Sequence, residues 1–358
     1  MQPSDRGSDG SGSPPRRRPL RVTVLCGGPS AERAVSLQSG RAVADALRRR
    51  GHDVFVADIG WDQLEALDQP ADVVFPALHG TFGEDGTVQR MLEERHIPFV
   101  GADSRASAVA IDKVASKTRV REIGLETPAF EVWNGATLQS PSGSEGRKQS
   151  PSASEGPVFP ARTAPDVPWP VVVKPIDQGS SVATTIVRAR DAFLPCVRDV
   201  VAGFGKALVE QFIDGDEITV GIVGEQTLPP ICVRPKREFY DYEAKYVDDA
   251  TEYLFDAQPA SLLAESQRLS RRVFECLGCR HLARVDWIAD RDGRLWFLEI
   301  NTLPGFTSHS LVPKAAARAG ISFDELVERL VFMAYGAGPS PGRSHPGGGP
   351  PGSVEDAM

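Results

Sequence analysis

Short β-rich runs alternate with helical stretches over the first hundred residues. Val22-Thr23-Val24-Leu25, Val54-Phe55-Val56, Val73-Val74-Phe75 and Pro98-Phe99-Val100 read as strands. The clearest helix between them runs from Ala31 to Arg50, with Val35, Val43, Ala46 and Leu47 on one face and Gly51 as its stop. Such alternation predicts a parallel sheet covered by helices. The pattern breaks at about Asn134 to Pro168, a Ser-, Gly- and Pro-rich stretch without apolar periodicity, which is expected to be a disordered, solvated and dispensable insertion. Beyond it, Val171-Val172-Val173-Lys174, Val182 to Arg188, Ala207 to Phe212 and Glu217 to Val223 predict an antiparallel-rich region with one helix, Ala192 to Val201. Residues 1–19 and about 337–358 bury too little apolar surface to offset ordering entropy, and disordered tails are expected there.

Chemistry concentrates where these runs end. In Phe297-Leu298-Glu299-Ile300-Asn301-Thr302-Leu303-Pro304-Gly305 a strand runs into a Pro-Gly turn, and period-2 alternation sends Glu299 and Asn301 to one side. Asp286, on the preceding run Val285-Asp286-Trp287-Ile288, adds a third oxygen from the expected partner strand. Three hard oxygens without sulfur or imidazole suit Mg²⁺ bridging nucleotide phosphates. An isolated Glu-x-Asn more often just ends a strand, so the reading draws its weight from the other motifs.

Lys174 closes a strand and is followed by Gln178-Gly179-Ser180-Ser181-Val182, a donor-rich turn that suits either phosphates or a plain hairpin connection. Glu210-Gln211-Phe212-Ile213 and Glu217 stand at a strand end, where main-chain groups bracket an adenine or merely finish a sheet. Tyr240-Asp241-Tyr242-Glu243-Ala244-Lys245-Tyr246 gathers three phenols and a lysine. His79, at the head of His79-Gly80-Thr81-Phe82-Gly83-Glu84-Asp85-Gly86, follows a strand directly and faces the crevice at its carboxyl end. The dinucleotide fingerprint, the P-loop, H-E-x-x-H and the nucleophile elbow are all missing.

Composition narrows the class. The chain has 358 residues, enough for two or three domains, and a formal net charge of -8, which leaves no electrostatic footprint for nucleic acid. No apolar window is long enough for a membrane span, and the Arg16-Arg17-Arg18 leader lacks an apolar h-region, so a cytoplasmic protein is expected. Five scattered cysteines make no disulfide framework, and Cys276 and Cys279 are expected to be small core residues.

Taken together, Gly27 to Leu37, His79 to Gly86, Asp112-Lys113, Lys174 to Val182, Tyr240 to Tyr246, Arg284-Val285-Asp286 and Glu299 to Pro313 resemble the D-alanine–D-alanine ligase family of ATP-grasp enzymes, nearly end to end from Arg21 to Tyr335. The resemblance implies a three-domain ATP-grasp fold of mixed α/β and α+β class: a leader at 1–19, a parallel α/β substrate domain at 20–102, and a central domain at 103–210. An antiparallel domain at 211–336 carries the metal site, with a tail at 337–358. ATP would lie between the two antiparallel sheets. Lys113, Lys174 and Lys245 would contact phosphates beneath Ser180 and Ser181, with Glu210, Gln211, Phe212, Ile213 and Glu217 around adenine and ribose. Asp286, Glu299 and Asn301 would hold two Mg²⁺ or Mn²⁺ ions.

The implied activity joins two D-alanines through an acylphosphate for peptidoglycan precursors. Glu32 would pair with the first ammonium, Arg284 and the Gly305 N–H with the oxyanion, and Ser310 with the Leu311 N–H would take the second carboxylate. Tyr246, linked through Ser180 to Glu32, would assist deprotonation of the incoming amine, and His79 would line the second-substrate region. A homodimer is the family expectation. The rival within the fold is a D-alanine–D-lactate or D-alanine–D-serine ligase, against which Tyr246 speaks; a rival of another class, a catalytically dead binding module, is opposed by the retained reacting groups. Ala183 departs from the glycine usual in the family.

Overall fold

The computed structural model describes residues 18–138, 163–234 and 251–337. Its first sheet is parallel, in the order β2-β1-β3, from β1 (Arg21–Gly27), β2 (Asp53–Ile59) and β3 (Val73–Pro76). Both faces are covered, as near-continuous apolar strands require. Val22, Val24 and Phe75 pack on one side, Leu25 and Val74 on the other. The expected fourth strand is reduced to a bridge between Phe99 and Val74. Helix α1 (Arg33–Arg49) crosses from β1 to β2. It begins later than periodicity predicts because Glu32 is the N-cap residue, and its carboxylate does not bond the helix.

Three helices, α2 (Thr87–Glu94), α3 (Ser104–Ile111) and α4 (Lys113–Glu122), lead to a second, antiparallel sheet. It has the order β4-β7-β5-β6, built from β4 (Phe130–Asn134), β5 (Val171–Pro175), β6 (Thr185–Val187) and β7 (Lys206–Gln211). A short helix α5 (Gly135–Leu138) follows β4, and α6 (Phe193–Phe204) covers the sheet through Phe193 and Val197.

The edges of the expected insertion thus belong to the fold, which corrects its boundaries. Asn134 closes β4, and Val167 is buried with Trp133, Val171 and Phe193. The interior, 139–162, lies outside the described residues. Replacing all of 134–168 with a Gly/Ser linker is therefore expected to lower stability. Losing the Val167 contacts alone costs about 2 kcal/mol, whereas a linker confined to 140–160 leaves the urea midpoint in place.

The third sheet runs β11-β10-β8-β12-β13, with β9 (Gln226–Thr227) alongside β8. Its strands are β8 (Gly215–Val223), β10 (Ile231–Arg234), β11 (Glu252–Leu254), β12 (Leu282–Asp290) and β13 (Leu295–Asn301). All neighbouring pairs are antiparallel. Helix α7 (Ala260–Cys276) seals one face, where Ile218, Val220, Val285, Trp287 and Phe297 meet Leu269 and Val273. The opposite face carries the alternate residues, including Glu217, Asp286 and Ile288, and is left open to a cavity. Helices α8 (Leu311–Arg318) and α9 (Phe323–Ala337) return the chain to the first sheet, with α9 packed on α1 and Arg49 paired to Asp324 at 2.7 Å. Among the described residues no helix is long and apolar enough to cross a membrane. The cysteines there are free thiols; Cys279 is buried in the α7 core, and burial pushes its thiol up to about 12.

Candidate active site

Between the second and third sheets lies a cavity of about 560 Å³. Lys113, Lys174, Gln178 and Ser181 stand on its wall together with Asp286 and Glu299. Glu210, Gln211, Phe212, Ile213 and Glu217 also line it, between the end of β7 and the start of β8. Eleven residues singled out in the sequence thus converge on one space. A second, smaller cavity collects Glu32, His79, Ser180, Arg284, Asn301, Gly305, Ser310 and Leu311. Glu299 belongs to both. Tyr246 and Lys245 lie outside the described residues.

A β-bulge aims the carboxylates. Asp286 pairs with Glu299, but the next pair is Trp287 with Phe297, so Leu298 is the extra residue on β13. Phe297 and Ile300 remain in the core while Leu298 and Glu299, consecutive in sequence, both face the large cavity. Such a bulge re-aims a side chain beside a functional site.

Asp286 is buried, accepts from Thr219 Oγ1, and is clamped by Arg284 Nη2 at 2.8 Å and Nε at 3.0 Å. Glu299 lies 3.2 Å from Lys113 Nζ. Lys113 is the first residue of α4, a helix capped by Asp112, which accepts from Val114 N at 2.9 Å. Its Nζ also donates to the Gln178 carbonyl at 2.7 Å, tying the helix start to the turn over the cavity. Among the described residues no group of three His, Cys, Asp or Glu could hold a cation by itself. Two carboxylates and the Asn301 amide oxygen on one sheet face do fit a hard ion that takes its remaining oxygens from phosphates and water.

The Glu210 side chain, expected near adenine and ribose, is engaged by the protein itself. Its carboxylate is buried, ion-paired to Lys174 on one oxygen and 3.1 Å from Lys117 Nζ on the other. The two lysines outweigh the cost of burial and hold Glu210 down to about 2. Only its main chain remains for a base. Lys117 is a site residue that sequence reasoning missed, although Lys113 and Lys117 lie four apart, on one face of α4. It is fully buried, and donates to Thr127 Oγ1 at 2.9 Å and to the Phe297 carbonyl at 3.1 Å.

The smaller cavity is organised around Glu32, which accepts a short hydrogen bond from Ser180 Oγ. Ser180, Ser181 and Ala183 all have left-handed backbone, with φ of 51°, 56° and 50°. A glycine at 183 would adopt this freely; alanine does so at a cost. Gly305 has a firmer steric reason to be glycine, since a Cβ there would sit 2.7 Å from Ser310 Oγ. Ser310 stands at the N-cap position of α8 without bonding the helix through its side chain, and Leu311 is the first helical residue, so a helix N-terminus opens onto the cavity and favours an anion.

Glu84, also missed as a site residue although it lies within the His79 to Gly86 block, accepts from Gly80 N at 2.7 Å. Burial and then the charge of Glu32 push it up to about 8. A carboxyl raised in this way contributes stability that is present below pH 4.5, its ordinary range, and is lost as pH rises through about 8. In the nucleotide-free protein Glu84→Gln is thus expected to match the parent melting temperature near pH 4.5 and to exceed it at pH 8. Parallel melting curves at both pH values would sink this assignment.

Sequence signatures described as "D-ala D-ala ligase N-terminus" and "D-ala D-ala ligase C-terminus" match residues 60–102 and 149–332. A D-alanine–D-alanine ligase of Syntrophotalea carbinolica is 42% identical over 316 residues, covering 88% of this chain and 96% of the relative. This chain belongs to the D-alanine–D-alanine ligase family. The ligase of Chromohalobacter salexigens is 40% identical across 93% of this chain and 100% of its own. The Bacillus anthracis D-alanine–D-alanine ligase, solved with ATP, superposes with a TM-score of 0.70 at 29% identity, over 89% of this chain and 98% of that one. A D-Ala:D-Ser ligase of Enterococcus faecalis, at 23% identity and a TM-score of 0.71, shares the fold. Membership in the D-alanine–D-alanine ligase family makes the two antiparallel sheets an ATP-grasp pair and the chain an ATP-dependent ligase.

Proposed function

We propose that this site joins two D-alanines at the expense of ATP, in the cytoplasm, to supply a dipeptide for peptidoglycan. The observation that carries the reading is Glu299, the residue at which the nucleotide-sized cavity and the small polar cavity meet. A phosphoryl group at that junction stands beside both reactants. The carboxylate of the first D-alanine attacks the γ-phosphate, ADP leaves, and the resulting acylphosphate is attacked by the amine of the second D-alanine with loss of phosphate.

Glu32 holds the first ammonium, and Arg284 with the Gly305 N–H stabilises the oxyanion. Ser310 and the Leu311 N–H take the second carboxylate at the start of α8. Lys113, Lys174 and Lys245 hold phosphates, and Ser180 and Ser181 close over them. Gln211, Phe212, Ile213 and Glu217 take the base and ribose. Asp286, Glu299 and Asn301 hold Mg²⁺ or Mn²⁺, whose charge, when bound, offsets that of the transferring phosphoryl group. Tyr246, through Ser180 and Glu32, assists removal of the ammonium proton. We also read the chain as three units, 20–102, 103–210 and 211–336, assembling as a homodimer.

D-Lactate or D-serine as acceptor is the competing reading. Phosphate release with ATP and a panel of D-amino and D-hydroxy acids decides between them. D-Alanine alone is expected to support turnover, and a preference for D-lactate or D-serine beside D-alanine would overturn the dipeptide reading.

A further inference from the structure

His79 is placed by sequence in the second-substrate region, yet its ring is occupied by the protein. The side chain is buried. Its N–H is engaged with the Leu303 backbone, and Nε2 lies 3.3 Å from Ser39 Oγ. Ser39 Oγ in turn accepts from Phe306 N at 3.2 Å. The chain of bonds therefore starts at Phe306, passes through Ser39 and the imidazole, and returns to Leu303. It closes around Pro304 and Gly305 from both sides.

Burial disfavours the imidazolium and lowers the pKa of His79. A neutral ring has one donor and one acceptor. Given to Leu303 and Ser39, neither is left for substrate or for proton transfer. The polypeptide needs such a brace because Gly305, without a side chain, is not anchored by packing of its own. The nearest atom to a Cβ built there is Ser310 Oγ, on the cavity side. A misplaced donor is costly in an oxyanion site, where positions matter to within ångströms.

We propose that His79 is a positioning residue: with Ser39 it clamps the Leu303–Phe306 turn so that the Gly305 N–H points at the oxyanion. The inference rests on the reading of Gly305 as an oxyanion donor. His79→Gln keeps one donor and one acceptor, and His79→Ala keeps neither. Ser39→Ala breaks the chain without touching the ring.

The experiment measures steady-state kinetics of all three variants with ATP and D-alanine, and amide exchange at Phe306. His79→Ala is expected to lower kcat roughly 100-fold, the loss typical of one oxyanion donor, with KM for both D-alanine sites within about twofold. Exchange at Phe306 should quicken. Ser39→Ala should change both quantities in the same direction, and His79→Gln should recover most of kcat with an unshifted pH profile. Unchanged Phe306 exchange in both alanine variants would show that the clamp does not exist. Faster exchange with parental kcat would overturn the proposal through the Gly305 reading instead. A loss confined to KM for the second D-alanine, or a displaced pH limb in His79→Gln, would make His79 a substrate or proton-transfer group and also overturn it.

Discussion

Glu299→Gln is expected to lower turnover by roughly three orders of magnitude while the protein stays folded. The substitution keeps volume and one acceptor oxygen but removes a charge at the junction of the two cavities. Paired carboxylates are what the third sheet offers to a cation, because Asn301 is neutral and no cluster of three acidic or soft ligands exists among the described residues. Halving that charge forfeits several kcal/mol of stabilisation at the transferring phosphoryl group, and ~4 kcal/mol is about a thousandfold in rate. Stability changes little, because the Glu299 side chain is a quarter exposed and its partner Lys113 retains the Gln178 carbonyl. Phosphate release at saturating Mg²⁺ and a melting curve provide the check, and turnover within tenfold of the parent would withdraw the metal assignment.

Lys117→Met carries the largest expected stability effect, ~3 kcal/mol, at the low end for breaking a buried pair because Lys174 remains on Glu210. The mutant leaves a buried carboxylate with one lysine instead of two. It also vacates the Thr127 hydroxyl and the Phe297 carbonyl, both reached by the same ammonium. Function suffers along with folding. With Lys117 gone, Glu210 holds Lys174 more tightly, and the nucleotide phosphates must compete for it, so the KM for ATP rises more than that for D-alanine. Adding Glu210→Gln removes the uncompensated charge and should restore part of the lost stability, a coupling readable from the double-mutant cycle. Acid reproduces the effect from the other side. Glu210 is held near 2, so its contribution is present above about pH 4.5 and lost as pH falls towards 2. A urea midpoint in Lys117→Met equal to that of the parent would end this account.

Much of this was legible in the chain. Apolar runs marked most of the strands, and residue chemistry marked Asp286, Glu299, Asn301 and Lys174, which the fold gathers on the walls of the two cavities. Other features depend on tertiary facts that local pattern does not carry. The strand Phe130–Asn134 was hidden because it abuts the low-complexity stretch. Alternation alone correctly put Glu299 and Asn301 on one face, but gave no sign that Leu298 interrupts it; only the pairing with β12 shows the bulge. Lys117 looks like a surface lysine of a short helix until β7 and β13 bury it. The same holds for Glu84, whose raised pKa comes from burial beside Glu32, fifty-two positions earlier in the chain.

The turn proposed to close over the phosphates carries backbone strain. Ser180, Ser181 and Ala183 have left-handed backbone without the freedom of glycine, at about 1–2 kcal/mol per residue. Ser180 donates to Glu32, the carboxylate proposed to receive the first ammonium, and Lys113 holds the Gln178 carbonyl. On the proposed reading, a loop of this build is expected to open readily once the phosphates leave, since three of its residues hold left-handed backbone angles.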